Sequence, residues 1–506
     1  MSAPTPLPEP REVTAATLRA EAGALLDRGA RLALAAGHHD GGGVRIVHTF
    51  LVPGEQPHEL AITVPDDADG VPTMADLSYA AGRFEREVRD LYGVTPLGHP
   101  LARRLVRHGH WPSGYYPMRR DATPDPTFEA DTGSFPFVEV GGDGVYEIPV
   151  GPVHAGLIEP GHFRFSVVGE TIVRMKARLW FVHRGVEKLF EGRAPEAGIE
   201  LAERISGDTA VGHSLAYVMA VEQALGVPVG DVDTALRALL LEMERLHNHV
   251  ADLGAIVNDV GYGIVNAHAQ ALRERLLRHH RAVTGHRLLR GAIGIGSTQL
   301  RQLPDLELVA SVAAELAEIV AIALGNHVVV DRLTATSVLP HEQAHAMGTL
   351  GYVARASGVD VDARRDHPFH DLGPEFQPVM ETTGDVMARF LVRAREAQQS
   401  ADLIAELTGV VMGRGVTASA AGGATVGSPV ELPVAGSGAG LGVVEAWRGT
   451  LVHRVEIRDG LVTRCKVVDP SFFNWPALPV ALKDTIVPDF PLTNKSFNQS
   501  YAGNDL

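Results

Sequence analysis

The sequence contains a single cysteine, Cys465, in 506 residues. A disulfide bond within the chain is therefore excluded, and so is any zinc site within the chain that needs two or more thiolates. Acidic residues outnumber basic ones by 61 to 45, which gives a formal net charge of 45 − 61 = −16 at pH 7. This charge argues against nucleic acid as the main partner, because phosphate binding favours a basic surface.

Long uncharged apolar runs are also missing. A membrane-spanning helix requires about 18 or more apolar residues, so we expect none in this chain. The stretch that comes closest, 308–330, is interrupted by Glu315 and Glu318 and is better interpreted as a helix of a bundle. The N-terminus lacks a basic start followed by an apolar run, which argues against a signal peptide.

The first part of the chain is predicted to be a small α/β domain. Residues 1–12 are rich in proline and are predicted to be disordered. Helical spacing and strand-like runs then alternate, with a helix at 13–36, strands at 44–52 and 59–66, and a helix at 75–92. The domain is predicted to span 13–121, and the Pro-, Gly-, Thr- and Asp-rich residues 122–145 predict a linker.

The second part, 146–506, is predicted to be a large, mainly helical domain. Long helical segments are predicted at 200–226, 231–256, 265–290, 305–325, 341–357 and 378–407. Short breaks between long helices are typical of an antiparallel bundle. Residues 440–468 alternate apolar and polar side chains around Arg-Asp-Gly, which predicts a β-hairpin. The expected fold class is α+β, an α/β domain followed by a helical bundle with flanking β-hairpins.

Residues 84–121 carry the first family resemblance. On chemistry alone they would be a charged helix followed by a loop. Their order resembles the hydrophilic 30 kDa subunit of respiratory complex I, whose role is assembly and docking. The matching positions are Glu85, Arg86, Glu87, Asp90, Gly93, Val94, Gly98, His99, Pro100, Trp111, Arg119 and Asp121.

A second cluster, residues 148–193, resembles the start of the 49 kDa subunit of complex I. It is more similar still to the large subunit of membrane-bound (group 4, formate hydrogenlyase type) nickel–iron hydrogenases. The matching positions are Gly151, Pro152, His154, Glu159, Pro160, Gly161, His162, Gly169, Glu170, His183, Arg184, Gly185, Glu187, Lys188 and Arg193. The resemblance extends over roughly residues 80 to 506, and a fusion of the two complex I-like parts in one chain is typical of that hydrogenase type.

The departure from the hydrogenase pattern lies at the metal ligands. That family holds nickel with two Cys-x-x-Cys motifs, and the corresponding positions here are Ser206, Thr209, Ser500 and Gly503. Hydroxyls are poor ligands for a soft metal, and glycine has no side chain. The resemblance therefore implies a hydrogenase-related branch without the nickel ligands. We expect no metal in this chain and no hydrogenase activity.

Complex I also lacks these cysteines and reduces quinone in the emptied cavity. The resemblance implies a polar cavity here, for which the candidate residues are Tyr217, His154, His162, Asp362, Glu187 and His213. The alternative is that Tyr217 belongs to the core and that Asp362 is an ion-pair partner of Arg364 or Arg365. Positions 206, 209, 213 and 217 step by three or four residues, which predicts one helical face. The C-terminal segment should bring Ser500 within about 15 Å of Ser206, since ligands of one metal lie close together.

A rival motif is His341-Glu342-Gln343-Ala344-His345, a formal H-E-x-x-H zinc motif. The third ligand of the extended motif would fall on Gly351, which cannot ligate, and Pro340 with Glu342 also fits a helix start. The glycine-rich residues 436–442 do not fit a dinucleotide-binding loop and indicate a turn before the hairpin. Cys465 lies in a strand-like run and is interpreted as a buried apolar residue.

The resemblance implies an electron-transfer subunit of a complex I-like, energy-converting oxidoreductase. Its implied partners are an iron–sulfur small subunit that carries a 4Fe–4S cluster and antiporter-like membrane-arm subunits. Such a chain would bind no cofactor itself beyond quinone in the cavity, and NAD would be handled only by another subunit. It would lie in the cytoplasm, peripheral to the inner face of the membrane. The alternative is a structural docking subunit whose cavity is catalytically dead.

Overall fold

A computed structural model describes residues 4–128, 130, 135–155, 158–416, 425–426 and 436–506. Its N-terminal part is a four-stranded sheet flanked by helices. The elements are β1 (Arg11–Glu12), α1 (Leu18–Asp27), β2 (Arg31–His39), β3 (Gly43–Leu51), β4 (His58–Pro65), β5 (Val71–Pro72), α2 (Tyr79–Tyr92) and β6 (Pro96–Leu97). The sheet order is β1-β4-β3-β2, with β1 parallel to β4 and the other pairs antiparallel.

Two predictions for this part are wrong in detail. The helix predicted at 13–36 is only α1, because 31–39 pairs with β3 as a strand despite its helix-favouring alanines and leucines. Tertiary strand pairing has overridden local propensity here. Arg11–Glu12, expected in a disordered stretch, forms β1. Residues 1–3 of that stretch, and 129 and 131–134 of the predicted linker, lie outside the described residues.

The second part begins with an antiparallel sheet, β7 (Val145–Val150), β8 (His162–Val168) and β9 (Thr171–Arg178). The helical region follows. Its elements are α3 (Val186–Phe190), α4 (Pro195–Ala202), α5 (Ala210–Leu225), α6 (Asp231–Asn258), α7 (Gly263–Thr284), β10 (Ile293–Gly294), β11 (Ser297–Gln299), α8 (Leu306–Leu324), α9 (His327–Leu333), α10 (His341–Ala346), α11 (Gly351–Ala356), α12 (Ala363–Asp366) and α13 (Val386–Gly413). The two longest helices, α6 and α13, pack against each other at the centre.

Two predicted helices are broken. The segment 200–226 divides into α4 and α5, and 341–357 divides into α10 and α11. The second break lies at Gly348 and Gly351, whose φ angles are +68° and +63°. A Cβ on Gly351 would lie 1.9 Å from the Arg448 carbonyl oxygen, so a distant segment of backbone requires glycine here.

The chain ends in an antiparallel sheet and short helices. These are β12 (Thr425–Val426), β13 (Gly438–Ala446), β14 (Gly449–Arg458), β15 (Leu461–Val468), α14 (Ser471–Asn474), α15 (Leu478–Ala481), α16 (Phe490–Phe497) and α17 (Tyr501–Asp505). The predicted hairpin is confirmed, with Asp459 and Gly460 at positive φ between β14 and β15. The predicted α+β class is confirmed as well.

Residues 438–442 of the glycine-rich stretch 436–442 are part of β13, so the stretch is not only a turn. Cβ atoms on Gly438, Gly440 and Gly442 would lie 2.1, 2.0 and 1.9 Å from carbonyl oxygens of α5. Alternate glycines therefore let the strand lie directly against the helix. This contact places β13 and β14 beside the segment that carries His213 and Tyr217.

Buried ion pairs join the two parts of the chain. Arg454 on β14 binds Glu59 on β4 at 2.8 Å, and Lys466 on β15 binds Glu87 on α2 at 2.6 Å. All four side chains are almost completely enclosed. The N-terminal sheet is thus fixed directly to the C-terminal sheet.

No single helix among the described residues is long and apolar enough to cross a membrane. The pair α8 and α9 reaches that length and composition together, but its two helices are bent by 85°. One side of α8 packs into the bundle through Val309, Val312 and Leu316.

Candidate functional site

The four positions that correspond to the nickel ligands meet in one buried place. The Oγ atoms of Ser206 and Ser500 lie 2.9 Å apart in a hydrogen bond. The Gly503 amide donates to Ser500 Oγ at 2.8 Å, and the hydroxyls of Ser206 and Thr209 both donate to Asp208 Oδ1. The C-terminal segment therefore returns to the first motif, as the resemblance implied.

An ion pair closes one side of this group. Arg448 donates to both carboxylate oxygens of Asp208, at 2.6 and 2.7 Å. Burial opposes ionisation, but Arg448 still holds the pKa of Asp208 well below its usual range. Trp447 Nε1 donates to Thr209 Oγ1 at 3.1 Å. The oxygens around Ser206 and Thr209 are thus engaged by the protein itself.

Asp469 occupies the space that a side chain at 503 would need. A Cβ on Gly503 would lie 2.7 Å from Asp469 Cγ and Oδ2. The carboxylate cannot easily move, because it accepts hydrogen bonds from the Ser471 amide at 2.7 Å and from His213 Nε2 at 3.2 Å. This arrangement does not fit a nickel–iron centre, which requires soft thiolates. Two of the ligand positions hold hydroxyls that are bonded to each other, and the Asp469 carboxylate takes the space at a third.

His213 begins a buried chain of hydrogen bonds that the sequence only partly indicated. Its Nδ1 is 3.1 Å from His453 Nε2, and His453 Nδ1 faces Cys465 Sγ at 4.0 Å. Since Asp469 is an acceptor, the consistent assignment has His213 donating to Asp469 and His453 donating to His213. Burial raises the pKa of Cys465, which keeps it a neutral thiol. His453 and Asp469 were not predicted, although a histidine among the apolar residues of β14 was a usable signal.

Tyr217 lies on α5 one turn beyond His213. Its hydroxyl donates to the Pro195 carbonyl at 2.8 Å, and burial raises its pKa well above the usual value. The predicted single helical face is wrong for Ser206 and Thr209, because α5 begins only at Ala210 and Thr209 is its N-cap residue. Only positions 213 and 217 share that face.

Asp362 is in the ion-pair position that the alternative interpretation described. It caps α12, binds Arg364 at 2.7 Å and lies 3.3 Å from Arg355. Arg355 in turn binds Glu396 and Glu445, all with fully enclosed side chains. Within the described residues, no hydrogen bond or ion pair joins Asp362 to Ser206 or Ser500. Asp362 therefore belongs to a buried ion-pair group and is not hydrogen-bonded to the serines of the emptied centre.

The two candidate histidines of the β7–β8 connection are bonded to its backbone. His154 Nε2 lies 2.7 Å from the Gly161 oxygen, and His162 Nδ1 lies 3.2 Å from the Gly151 oxygen. Residues 156 and 157 of this connection lie outside the described residues. Glu159 accepts a hydrogen bond from the Ala502 amide at 3.0 Å, which links the connection to α17 beside the emptied centre.

Glu187 lines a cavity of about 590 Å³ next to the emptied centre. Asp469, Gly503, Glu87, His183, Asp505, Trp111 and Trp180 are among its other walls. Lys466 Nζ lies between Glu87 and Glu187, at 2.6 and 3.1 Å, and Arg464 binds Glu187 at 2.7 Å. Burial works against ionisation of Glu187, but Arg464 and Lys466 lower its pKa to about 2.

The pKa of Glu87 is shifted in the opposite direction to that of Glu187. Burial raises its pKa, and the charge of Glu187 adds to this effect. Its Oε2 atom is buried and has no hydrogen-bond partner among the described residues. The cavity wall therefore combines an ion-paired carboxylate, Glu187, with a carboxyl group, Glu87, that has one unpaired oxygen.

The rival zinc motif does not assemble a metal site. His341 Nδ1 donates to the Ser357 carbonyl at 2.9 Å, and its ring centroid lies 6.3 Å from that of His345. No group of three or more metal-ligating side chains occurs among the described residues. The geometry favours the helix-start interpretation, since α10 begins at His341.

The chain is similar to subunits of respiratory complexes. Residues 12–127 match the family described as the 30 Kd subunit of respiratory-chain NADH dehydrogenase, residues 259–421 match its 49 Kd subunit, and residues 184–253 match nickel-dependent hydrogenase. Formate hydrogenlyase subunit 5 of Escherichia coli (strain K12) is 33% identical over 475 residues, which cover 90% of this chain and 81% of that protein. Hydrogenase-4 component G of the same organism is 32% identical over 484 residues, which cover 91% of this chain and 80% of that protein.

A solved structure has the same architecture. It is a chain of the membrane-bound sulfane sulfur reductase, an archaeal respiratory membrane complex, with a TM-score of 0.61 and 25% identity. The match covers 72% of this chain and 98% of that chain. The resemblance that the motifs indicated is confirmed.

Proposed function

The chain belongs to the family of formate hydrogenlyase subunit 5 and hydrogenase-4 component G, and on this basis we propose that it is the large subunit of a complex I-like oxidoreductase without hydrogenase activity. Its relatives are subunits of membrane-bound complex I-like or hydrogenase-related respiratory complexes. In this proposal the chain passes on electrons or the signal of their arrival, rather than binding hydrogen at a metal.

The proposed partners are an iron–sulfur small subunit with a 4Fe–4S cluster and antiporter-like membrane-arm subunits. The chain would then lie on the cytoplasmic side, peripheral to the membrane through these partners, and NAD would be bound only by another subunit. Exposed apolar side chains support a docking surface: Val153, Phe181 and Leu189 are exposed by 87%, 38% and 45%, and Leu189 lines the cavity. Exposed apolar surface is typical of protein–protein contact.

The proposal that the chain lacks hydrogenase activity rests on one observation. Ser206 is hydrogen-bonded to Ser500, and Asp469 fills the space beside Gly503. The native complex, purified from its source, should contain no stoichiometric nickel and should neither take up nor evolve hydrogen. Elemental analysis and a hydrogen electrode check this. A nickel content of one per chain would overturn the proposal.

We assign the redox-linked step to the cavity beside the emptied centre. Reduction of a quinone requires a proton donor within hydrogen-bond reach of each oxygen. Glu87, whose pKa burial raises, and the neighbouring Lys466 and Asp469 are the groups that would hold or move such a proton. The second candidate is a structural docking subunit, which the closed hydrogen-bond network around Ser206 and Asp208 favours.

A variant that fills the cavity separates the two candidates. Ala122 lines the cavity, so Ala122→Trp should abolish reoxidation of the dithionite-reduced complex by a short-chain quinone while the complex still assembles. Ala310→Trp, on the exposed side of α8, is the matched control and should behave as the wild type. Wild-type reoxidation by Ala122→Trp would assign the cavity no redox role and leave the docking function.

A further inference from the structure

Arg31 has an unpaired hydrogen-bond donor. Within the part of the chain that the structure describes, no hydrogen bond or ion pair involves its guanidinium, and its Nη1 atom is buried. Burial lowers the pKa of Arg31 to about 10, so the group is still charged at neutral pH. The guanidinium lies 5.6 Å from the centroid of the Phe473 ring. The side chain is part-buried and the charges of Glu445 and Asp366 act on it, but its buried Nη1 donor has no acceptor, which favours a bound acceptor at this point.

The guanidinium lies at a cavity of about 500 Å³ between the N-terminal domain and the helical domain. Its lining includes the apolar residues Leu26, Leu32, Leu51, Val359 and Phe473. It also includes His341, His345 and His367. This volume falls within the range of about 300 to 1,000 Å³ in which small-molecule sites occur.

The acidic residues of the cavity form no hydrogen bond with Arg31, although the charge of Asp366 acts on it. Asp360 and Asp366 both bind Arg365, each at 2.8 Å. Asp366 also accepts a hydrogen bond from the Asp362 amide at 3.0 Å. Arg365 and these two carboxylates form their own group, and the Nη1 donor of Arg31 stays unpaired.

We propose that this cavity binds a small organic anion, a carboxylate or phosphate group on a short apolar body, with the oxyanion on the Arg31 guanidinium. A planar guanidinium matches both kinds of oxyanion through two parallel hydrogen bonds. The apolar side chains of the lining take the body of the ligand, and the histidines, two of them from the unused H-E-x-x-H motif, are further polar groups of the lining. The anion comes either from a soluble carboxylate or from a phosphate ester such as a lipid headgroup.

Calorimetric titration of the purified native complex tests this, with hexanoate, hexyl phosphate and hexyltrimethylammonium as probes. At least one anion should bind with one site per chain, and the cation should not bind. Binding of hexanoate alone identifies a carboxylate ligand, and binding of hexyl phosphate alone identifies a phosphate ester. Arg31→Gln should weaken binding roughly tenfold or more, since a charged hydrogen bond contributes at least that factor.

The matched control is Arg28→Gln. Arg28 carries the same charge three residues away but is exposed and paired with Glu55 at 2.9 Å, so its loss should leave binding unchanged. Equal anion affinity in wild type and Arg31→Gln, or no binding of either anion, would overturn the proposal.

Discussion

The hydroxyl oxygens of Ser206 and Ser500 lie 2.9 Å apart although 294 positions separate the two residues in the chain. The same proximity serves metal binding in the hydrogenases that this chain resembles. Here the two hydroxyls share a hydrogen bond, which joins the segments on which they lie.

A methyl group at position 503 should destabilise the fold only because it collides with the Asp469 side chain. Gly503→Ala places a Cβ 2.7 Å from the Asp469 carboxyl group, and we expect a loss of about 1–3 kcal/mol in the free energy of unfolding. Asp469→Ala combined with Gly503→Ala should recover part of the loss relative to the sum of the single variants. Urea unfolding of all three variants measures this. Strictly additive losses would show that the two positions do not collide.

Neutralising Lys466 should destabilise the fold strongly. Lys466→Met leaves Glu87 and Glu187 facing each other in a buried position, and breaking such a group costs about 3–5 kcal/mol. The matched control is Lys188→Met, since Lys188 is exposed and pairs with Glu191 on the surface. Surface pairs contribute about 0–1 kcal/mol. Similar melting temperatures for both variants would contradict the prediction.

Two neighbouring acids on α6 should respond to pH in opposite directions. Burial raises the pKa of Glu244 to about 8, so the folded state binds a proton that the unfolded state has released above pH 4.5. Its contribution to stability is complete below that pH and is lost as the pH rises through 8, by about 1.4 kcal/mol per pH unit. In Glu244→Gln this dependence of stability on pH should be absent. The variant also loses one of the two hydrogen bonds that the Val211 and Gly212 amides donate to Glu244, because an amide group has only one acceptor oxygen.

Glu242 is the internal comparison for that experiment. Burial disfavours its charge, but Arg245 and Arg364 lower its pKa overall, so its contribution is present above the unfolded pKa and is lost in acid. Glu242→Gln should therefore destabilise the protein at neutral pH. Unfolding in urea between pH 5 and 9 checks both variants, and an unchanged slope in Glu244→Gln would count against the assignment.

Tyr217→Phe tests the quinone role that the resemblance implies for this tyrosine. Its hydroxyl is bonded to the Pro195 carbonyl, and it is not part of the wall of the 590 Å³ cavity. We expect a stability loss of about 0.5–1.5 kcal/mol and unchanged reoxidation by quinone. Thermal melting and the reoxidation rate are the two measurements. A tenfold slower rate with intact assembly would restore Tyr217 to the reacting site.

Local pattern predicted the elements that depend on neighbouring residues. The hairpin around Asp459 and the long helix α6 both followed from spacing and turn chemistry. The strand at 31–39 could not be predicted this way, because its alanines favour a helix and only pairing with β3 makes it a strand. The break at Gly351 has a similar cause, since the backbone that requires glycine there belongs to Arg448.

The candidate site also depends on contacts between residues that are distant in the sequence. Family resemblance predicted the meeting of Ser206 with Ser500, which no local pattern contains. It also placed Asp362 in the cavity, whereas the nearby Arg364 and Arg355 hold this carboxylate in a buried ion-pair group. Asp469 was missed because its role depends on a glycine 34 positions later that leaves room for a carboxylate.

Three ion pairs hold the two parts of the chain together: Arg454–Glu59, Lys466–Glu87 and Arg45–Glu456, the last at 2.8 Å. The two parts should therefore stay associated without the peptide connection between them. A protease cut between residues 122 and 144 should leave a nicked protein that elutes as one particle. Its fragments should separate only in denaturant. The fusion then matters for synthesis, because it delivers both parts in equal number and side by side, and the finished molecule would hold its shape as two polypeptides.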